Sequence, residues 1–346
     1  MFVAPKNGAI VPDTQMAKTD SSFAWRQIVS PAAPFLEAVH LRLNQQIKEF
    51  DQGVEGYAEY ALTGQGKQLR PLLVALGANA AGKLNDDHVT VAVIIEMIHL
   101  ATLVHDDVMD EAEIRRGRRT LAANWGNELA VLLGDCLFAH ALKLAASFPT
   151  PEICRAVASA TNTVCSGEIL QTRLRGNFNL TMAEYHKVLE MKTAELFSLS
   201  CDLGACLGGA SGSQRAALRE YGYRLGTAYQ MYDDCVDIFG LEASSGKTLG
   251  TDLMKGKLTL PVLLLRERAN EQERTKLAAL IADWQPEKFP QLNALLALHG
   301  IMKGSLEAIA RQLDAARAAV KGLKTGHVEL TRLVDFLAQQ TQTISG

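Results

Sequence analysis

Sustained alternation of apolar and polar residues is absent from these 346 residues, and with it any set of strands that could build a sheet. Proline is scarce, at 10 residues, and aromatics make up only 6%, while hydrophobic residues reach 48%. A chain rich in Ala and Leu and poor in strand formers is all-α. Charge of one sign is missing too: the net charge is -3, with no basic stripe or face, so nothing favours nucleic acid as a partner. The six cysteines form no C-x-x-C pair and read as buried thiols in a reducing cytoplasm. No stretch reaches about 18 consecutive apolar residues, the length expected of a membrane span. Pro5, Pro12 and Asp13 break up the apolar residues of the N-terminus, so residues 1–22 read as a flexible tail rather than a signal peptide. There is no repeat array and no low-complexity tract.

From Ser22 onward, apolar residues recur at helical spacing, interrupted only by short Gly, Pro or polar clusters. The spacing predicts helices near 33–50, 68–81, 87–110, 127–147, 151–173, 182–207, 214–239, 257–268, 272–282, 302–321 and 327–341. No linker divides them, so residues 23–346 read as one domain. The segments Val89–Val104 and Glu195–Leu207 have almost no polar face and belong at the centre of a bundle.

Two of these helices end on the same pattern, Asp106-Asp107-Val108-Met109-Asp110 and Asp233-Asp234-Cys235-Val236-Asp237. Residues four apart share a helix face, and D-D-x-x-D therefore aims carboxylates at one end and side of its helix. Crowded like charges at the end of an apolar helix call for a cation. Oxygen-only donors suit Mg²⁺, which binds through one or two carboxylates together with phosphate oxygens and water. A solvated helix end is the alternative reading of one such cluster, and the second copy argues against it. Glu96-x-x-His99 is half of a di-iron signature whose second half is missing, so di-iron chemistry is excluded.

Cationic segments follow both clusters: Ile114-Arg115-Arg116-Gly117-Arg118-Arg119 after the first, and Ser244 to Lys257, with Lys247, Lys255 and Lys257, after the second. Guanidinium forks and mobile ammonium groups next to metal-binding carboxylates suit a phosphorylated ligand. A third basic segment, Gly66-Lys67-Gln68-Leu69-Arg70-Pro71, enters a helix whose N-terminus would favour an anion. Lys192-Thr193 and Gln230 interrupt otherwise apolar helices, where each polar group must find an internal partner or line a polar site.

Taken in order, G-K-x-x-R-P, H-D-D-x-x-D with R-R-G behind it, K-T, Y-Q-x-x-D-D-x-x-D and G-K-x-x-G-x-D-L-x-x-G-K-x-T-L-P resemble the trans-isoprenyl diphosphate synthases, of medium- or long-chain type, over residues 35 to 265. The resemblance implies one all-α domain of about ten or more helices around a deep central cavity, usually homodimeric, that extends an allylic diphosphate with isopentenyl diphosphate. By the same resemblance Asp106, Asp107, Asp110, Asp233 and Asp237 bind Mg²⁺, while Arg115, Lys192, Thr193, Gln230, Lys247 and Lys257 face the allylic diphosphate. Lys67, Arg70, His99 and Arg116 match the isopentenyl diphosphate pocket. The sequence departs from the family pattern at Gln65, where a glycine is usual, and at Gln68, where an arginine is usual.

Ionisation would be driven by Mg²⁺ and by the Arg and Lys groups that stabilise the departing diphosphate, without a protein nucleophile. Lys192, Thr193 and Gln230 would act at the reacting carbon, in a cavity that excludes water. Product length would follow cavity depth. At 1.5 Å per residue, Ala101 lies about 7.5 Å below Asp106, with Met97 and Ile98 deeper. Short-chain relatives often carry an aromatic at the position of Ala101, so Ala101 and Thr102, with Met97 or Phe138 as floor, imply a product longer than C15, in the range of about C30 to C50. Such a product implies transient membrane contact. The alternatives are a shorter-chain synthase, a class I terpene cyclase, which needs no second diphosphate pocket, and a non-catalytic subunit, which would be expected to lose metal ligands.

Overall fold

The computed structural model describes residues 24–63, 66–240 and 249–345, and the tail expected over 1–22 lies outside them, as do Gln65 and Lys247. After a helical turn over 24–29 and a 3-10 turn at Ser30–Ala32, the described residues run through sixteen further α-helical segments. These are α1 Ala33–Ile47, α2 Gln52–Leu62, α3 Leu69–Ala81, α4 Asp86–Met109, α5 Leu121–Trp125, α6 Asn127–Ala146, α7 Pro151–Leu174 and α8 Met182–Leu189. They continue with α9 Glu195–Leu207, α10 Gly212–Phe239, α11 Thr251–Met254, α12 Leu260–Arg268, α13 Glu271–Ala282, α14 Phe289–Leu298, α15 Ile301–Val320 and α16 His327–Gln342. The fold is all-α. Among the described residues the only sheet is a hairpin of two-residue strands, β1 Ile114–Arg115 and β2 Arg118–Arg119.

The expected helices appear in the expected order. Two longer helices were not anticipated, α2 and α14: Gly, Tyr and Glu are mixed in the first, and Pro290 and Asn293 interrupt the apolar residues of the second. Capping explains several starts: Asn85 with His88, Thr181 with Glu184, Ser211 with Gln214 and Asn270 with Glu273 each form a reciprocal box. The segment expected as one helix over 182–207 is continuous, but a π turn at Glu190–Ala194 divides α8 from α9.

The most extensive packing is of α3 on α9, α4 on α6, and α10 on both α9 and α15. Helices α4 and α6 are each long and apolar enough to cross a membrane, although neither is an unbroken apolar run. Helix α4 is packed into the bundle, with 72% of its apolar stretch buried, whereas only 39% is buried for α6, which leaves Val131 and Leu132 exposed. Of the six free cysteines, Cys201 and Cys235 are buried as expected, whereas Cys165 on α7 is exposed.

Backbones touch where α3 crosses α9. A Cβ on Gly204 would stand 2.3 Å from the Val74 carbonyl oxygen, and one on Gly77 would stand 2.6 Å from that of Cys201. His88, in the first turn of α4, makes a hydrogen bond from Nε2 to the Gly204 carbonyl at 3.1 Å, so three helices meet at this point. Gly204→Ala is expected to destabilise the protein by about 2 kcal/mol or more, because the obstructing atom is backbone and cannot swing aside. A denaturant midpoint shift at unchanged slope would measure it.

Candidate active site

Helix α4 ends at Met109, with Asp106 and Asp107 in its last turn and Asp110 as its C-cap, where unsatisfied carbonyls already carry the negative end of the helix dipole. Asp233, Asp234 and Asp237 sit in the last two turns of α10, which ends in the same way at Phe239. Both ends open on one cavity of about 1460 Å³, lined by Asp106, Asp110, Asp233, Asp234 and Asp237 among others.

These carboxylates differ sharply in what they meet. Asp110 accepts from Arg175 at 2.9 Å and lies 3.0 Å from Lys257 and 3.2 Å from Lys255. Burial works to raise its pKa, but Lys257 and Lys255 outweigh it and hold the carboxyl at about 2. Asp106 shares the Lys192 ammonium, 3.5 Å away, with the closer Glu168. One ammonium cannot neutralise both: burial and the neighbouring acids leave Asp106 above its ordinary value, while Lys192, despite burial, is held above its own. Asp107 is expected at the metal, but its carboxylate is buried, is not part of the cavity lining, and accepts from Arg115 Nε at 2.6 Å. Its position one residue after Asp106 turns it about 100° away, so it anchors Arg115 instead. Asp237 lines the cavity yet also accepts from the Thr251 backbone N–H at 3.1 Å, the Thr251 hydroxyl at 2.6 Å and the Asp252 N–H at 3.2 Å, which seats the start of α11.

Lys192 and Thr193 fall in the π turn. Both line the cavity. The Thr193 hydroxyl donates to Gln230 Oε1 at 3.0 Å, and Gln230 Nε2 donates to Asp234 Oδ1 at 2.9 Å.

Across the cavity, Lys67, Arg70, His99 and Arg116 line a second basic region together with Glu96. Arg70, in the first turn of α3, lies 5.1 Å over the Phe197 ring. Arg116 and Gly117 both have positive φ, 51° and 74°, as a two-residue type I′ hairpin requires. Gly66 leaves room for the Arg116 guanidinium, since a Cβ there would stand 2.8 Å from Nη1. Tyr60 of the unanticipated α2 holds the hairpin: its hydroxyl donates to the Arg119 carbonyl at 2.6 Å and Arg118 stacks 4.1 Å over its ring. Glu96 is buried against Arg70 and Arg116, and burial raises its pKa. Burial, then Arg70 and Arg116, push the His99 imidazole well below its usual range, so it is neutral at neutral pH.

Of the expected cavity-depth residues, Thr102 and Phe138 line the cavity. Ala101 and Met97 do not: both are fully buried in helix packing, and the face of α4 that meets the cavity carries Thr102, Leu103 and His105. Gly134 makes space for the His105 ring, which lies 5.7 Å from that of Phe138.

A family model for polyprenyl synthetase matches residues 51–298. The chain belongs to the polyprenyl synthetase family. It is a prenyltransferase. An octaprenyl diphosphate synthase of Haemophilus influenzae is 33% identical over 298 residues, covering 86% of this chain and 90% of the relative. A decaprenyl diphosphate synthase from Rhodobacter capsulatus superposes with a TM-score of 0.86 at 32% identity, over 92% of this chain and 99% of that one. A polyprenyl synthase from Caulobacter crescentus, described as complexed with calcium and isoprenyl diphosphate, gives 0.84 at 33% identity, over 91% and 97%.

Asp252, Arg175, Glu168 and Tyr185 of this polyprenyl synthetase, none of them expected at the site, also line the cavity, as does Asp234, the middle aspartate of the second motif. Asp252 belongs to the G-K-x-x-G-x-D-L pattern, whose spacing does not mark its charge. Burial and then Asp237 push its carboxyl up to about 6. A folded-state pKa above the unfolded value of about 3.9 means that the native protein binds more protons between pH 4 and 6, so stability is lost as pH rises through that window. In chelator, Asp252→Asn is therefore expected to match the wild type near pH 4 and to exceed it by about 2 kcal/mol at pH 7.5. Thermal melts at the two pH values would show this, and a divalent cation at pH 7.5 should erase the gain.

Proposed function

We propose that this polyprenyl synthetase condenses an allylic prenyl diphosphate with isopentenyl diphosphate in a Mg²⁺-dependent reaction, and that it works as a homodimer in the cytoplasm, with transient membrane contact for its product. The observation that carries the reading is the pairing of two oppositely charged regions in one cavity: a carboxylate-rich end at Asp106, Asp110, Asp233 and Asp237, and a basic region at Lys67, Arg70, His99 and Arg116. A terpene cyclase would have no use for the second.

The donor set fits a hard divalent ion, since it is carboxylate oxygen throughout and burial, with Glu168 and Asp110 beside it, holds Asp106 above its ordinary pKa. Among the described residues no three His, Cys, Asp or Glu side chains converge to hold an ion by themselves. That suits Mg²⁺, which typically takes one or two carboxylates and completes its shell with phosphate oxygens and water. When bound, the ion supplies charge stabilisation for the departing diphosphate.

The chain's own residues do the rest. Arg115, Lys192 and Lys257 grip the allylic diphosphate; Lys247, from outside the described residues, is assigned there on its motif. Arg175 and Lys255 join them, because three cations on Asp110 leave surplus donors for phosphate oxygens. Thr193 and Gln230 face the reacting carbon with oxygen lone pairs. His99, as a neutral imidazole, hydrogen-bonds the second diphosphate while Lys67, Arg70 and Arg116 supply its countercharge. The apolar walls keep water from the allylic cation. The lost proton passes to the released diphosphate.

A cavity of about 1460 Å³ exceeds the roughly 300–1,000 Å³ of ordinary small-molecule sites, which, with octaprenyl and decaprenyl synthases among the relatives, supports a product of about C30 to C50. Incubation with Mg²⁺, isopentenyl diphosphate and farnesyl or geranylgeranyl diphosphate should give chain elongation that chelator abolishes. No elongated product would sink the assignment. Thr102→Phe is expected to shorten the product, read by chromatography of the dephosphorylated chains. Ala101→Phe should instead overpack the α4 contacts, lowering stability by about 1–3 kcal/mol with little change in length.

A further inference from the structure

Two arginines of the cavity are held in place by different means. Arg115 is tied by a hydrogen bond from Nε to Asp107 at 2.6 Å. Arg70 Nε is buried and finds no hydrogen-bond acceptor among the described residues. What Arg70 has instead is a ring: its guanidinium carbon lies over the face of Phe197, 5.1 Å from the centroid. A π face attracts a permanent cation without consuming any of its N–H groups, so a guanidinium held in this way keeps its donors for a ligand. A carboxylate partner would spend them.

The ring is fixed from behind. Phe197, on α9, is fully buried, and α10 lies against it: a Cβ on Gly222 would stand 2.5 Å from the Phe197 carbonyl oxygen, and one on Gly226 would stand 3.0 Å from the Phe197 Cβ. Further along α10, the ring of Tyr229 sits 5.6 Å from that of Phe197. Arg70 reaches this platform from the first turn of α3, the helix whose backbone touches α9 at Gly77 and Gly204. The competing partner for its guanidinium is Glu96, buried on α4 and within electrostatic reach of Arg70 and Arg116. Protonated or not, the Glu96 carboxyl can accept from an arginine. An Arg70 that settled on Glu96 would have to be pulled away before it could meet an anion, and that reorganisation would weaken binding.

We propose that Phe197 is a positioning residue, an aromatic platform that holds Arg70 off Glu96 with its N–H groups free for the diphosphate of isopentenyl diphosphate. The inference rests on the reading that Arg70 serves that substrate.

The platform predicts a loss in the binding of one substrate and not in the chemical step. Replacement of Phe197 by mono-, di- and trifluorinated phenylalanine changes the ring's shape little while draining negative charge from its face. The Kd of isopentenyl diphosphate alone, measured by calorimetry, is expected to rise in steps, reaching about fivefold for the trifluorinated ring. Phe197→Leu removes the face altogether and should raise KM for isopentenyl diphosphate about tenfold, with KM for the allylic diphosphate and the single-turnover rate at saturation within about twofold of wild type. Because Phe197 acts through Arg70, the same substitution in an Arg70→Gln background should change KM for isopentenyl diphosphate by less than about twofold. A role in packing alone would give a flat fluorine series, or the same loss in both backgrounds, and either result would overturn the proposal. If Phe197→Leu does not fold, the fluorine series carries the test, since it alters little volume. Wild-type protein in the same titration separates the two readings: no binding of isopentenyl diphosphate overturns both, and binding with a flat fluorine series overturns only the platform.

Discussion

Carboxylate in excess, gathered at the C-terminal ends of two apolar helices, is the constraint that the rest of the site answers. A helix end that already carries partial negative charge is the least comfortable place for Asp106, Asp107 and Asp110, and α10 repeats the arrangement. Each carboxylate is therefore committed differently. Asp110 takes three cations, Asp106 shares one with Glu168, Asp107 takes Arg115, Asp237 takes the start of α11, and Asp234 takes Tyr185 and Gln230. The two clusters look alike in sequence and do unlike work.

The fold supplies those partners from many parts of the chain. Arg175 ends α7, Lys255 and Lys257 follow α11, and Lys192 sits in the π turn between α8 and α9. The Gly176 backbone N–H donates to the Gly256 carbonyl at 2.8 Å, which ties the Arg175 loop to the lysine loop and brings their charges to the same carboxylate. Close packing of α3 on α9 and of α10 on α9 sets the spacing between the acidic ends and the basic region around Arg70 and Arg116. Electrostatics and packing here serve one geometry, in which negative and positive regions share a cavity without cancelling.

The basic region shows the same economy. Two guanidinium groups face one buried carboxylate, Glu96, which leaves positive charge over for an anion, while the crowd of arginines keeps His99 neutral. Glu96-x-x-His99, half of a metal motif in sequence, turns out to belong to this anion pocket. A hairpin turn with positive φ at Arg116 holds one of those guanidinium groups at the cavity, braced by Tyr60.

Helical periodicity made most of the fold legible in the sequence, because a helix declares itself by local spacing; α2 and α14 escaped where that spacing was weak. The acidic pairs and their basic companions were legible for the same reason, since each motif is contiguous. What contiguity cannot show is direction. Asp106 and Asp107 are neighbours in sequence, but one faces the cavity and the other faces Arg115; Thr102 lines the wall and Ala101 is sealed in packing. Nor could spacing reveal Arg175, Glu168, Tyr185 or Asp252, single polar residues on separate elements that meet only in space. The chemistry is written locally, in charged groups at short spacing. Which way each group points and what it meets follow from the packed fold, because adjacent residues on a helix diverge by about 100° and side-chain partners are chosen by packing across elements.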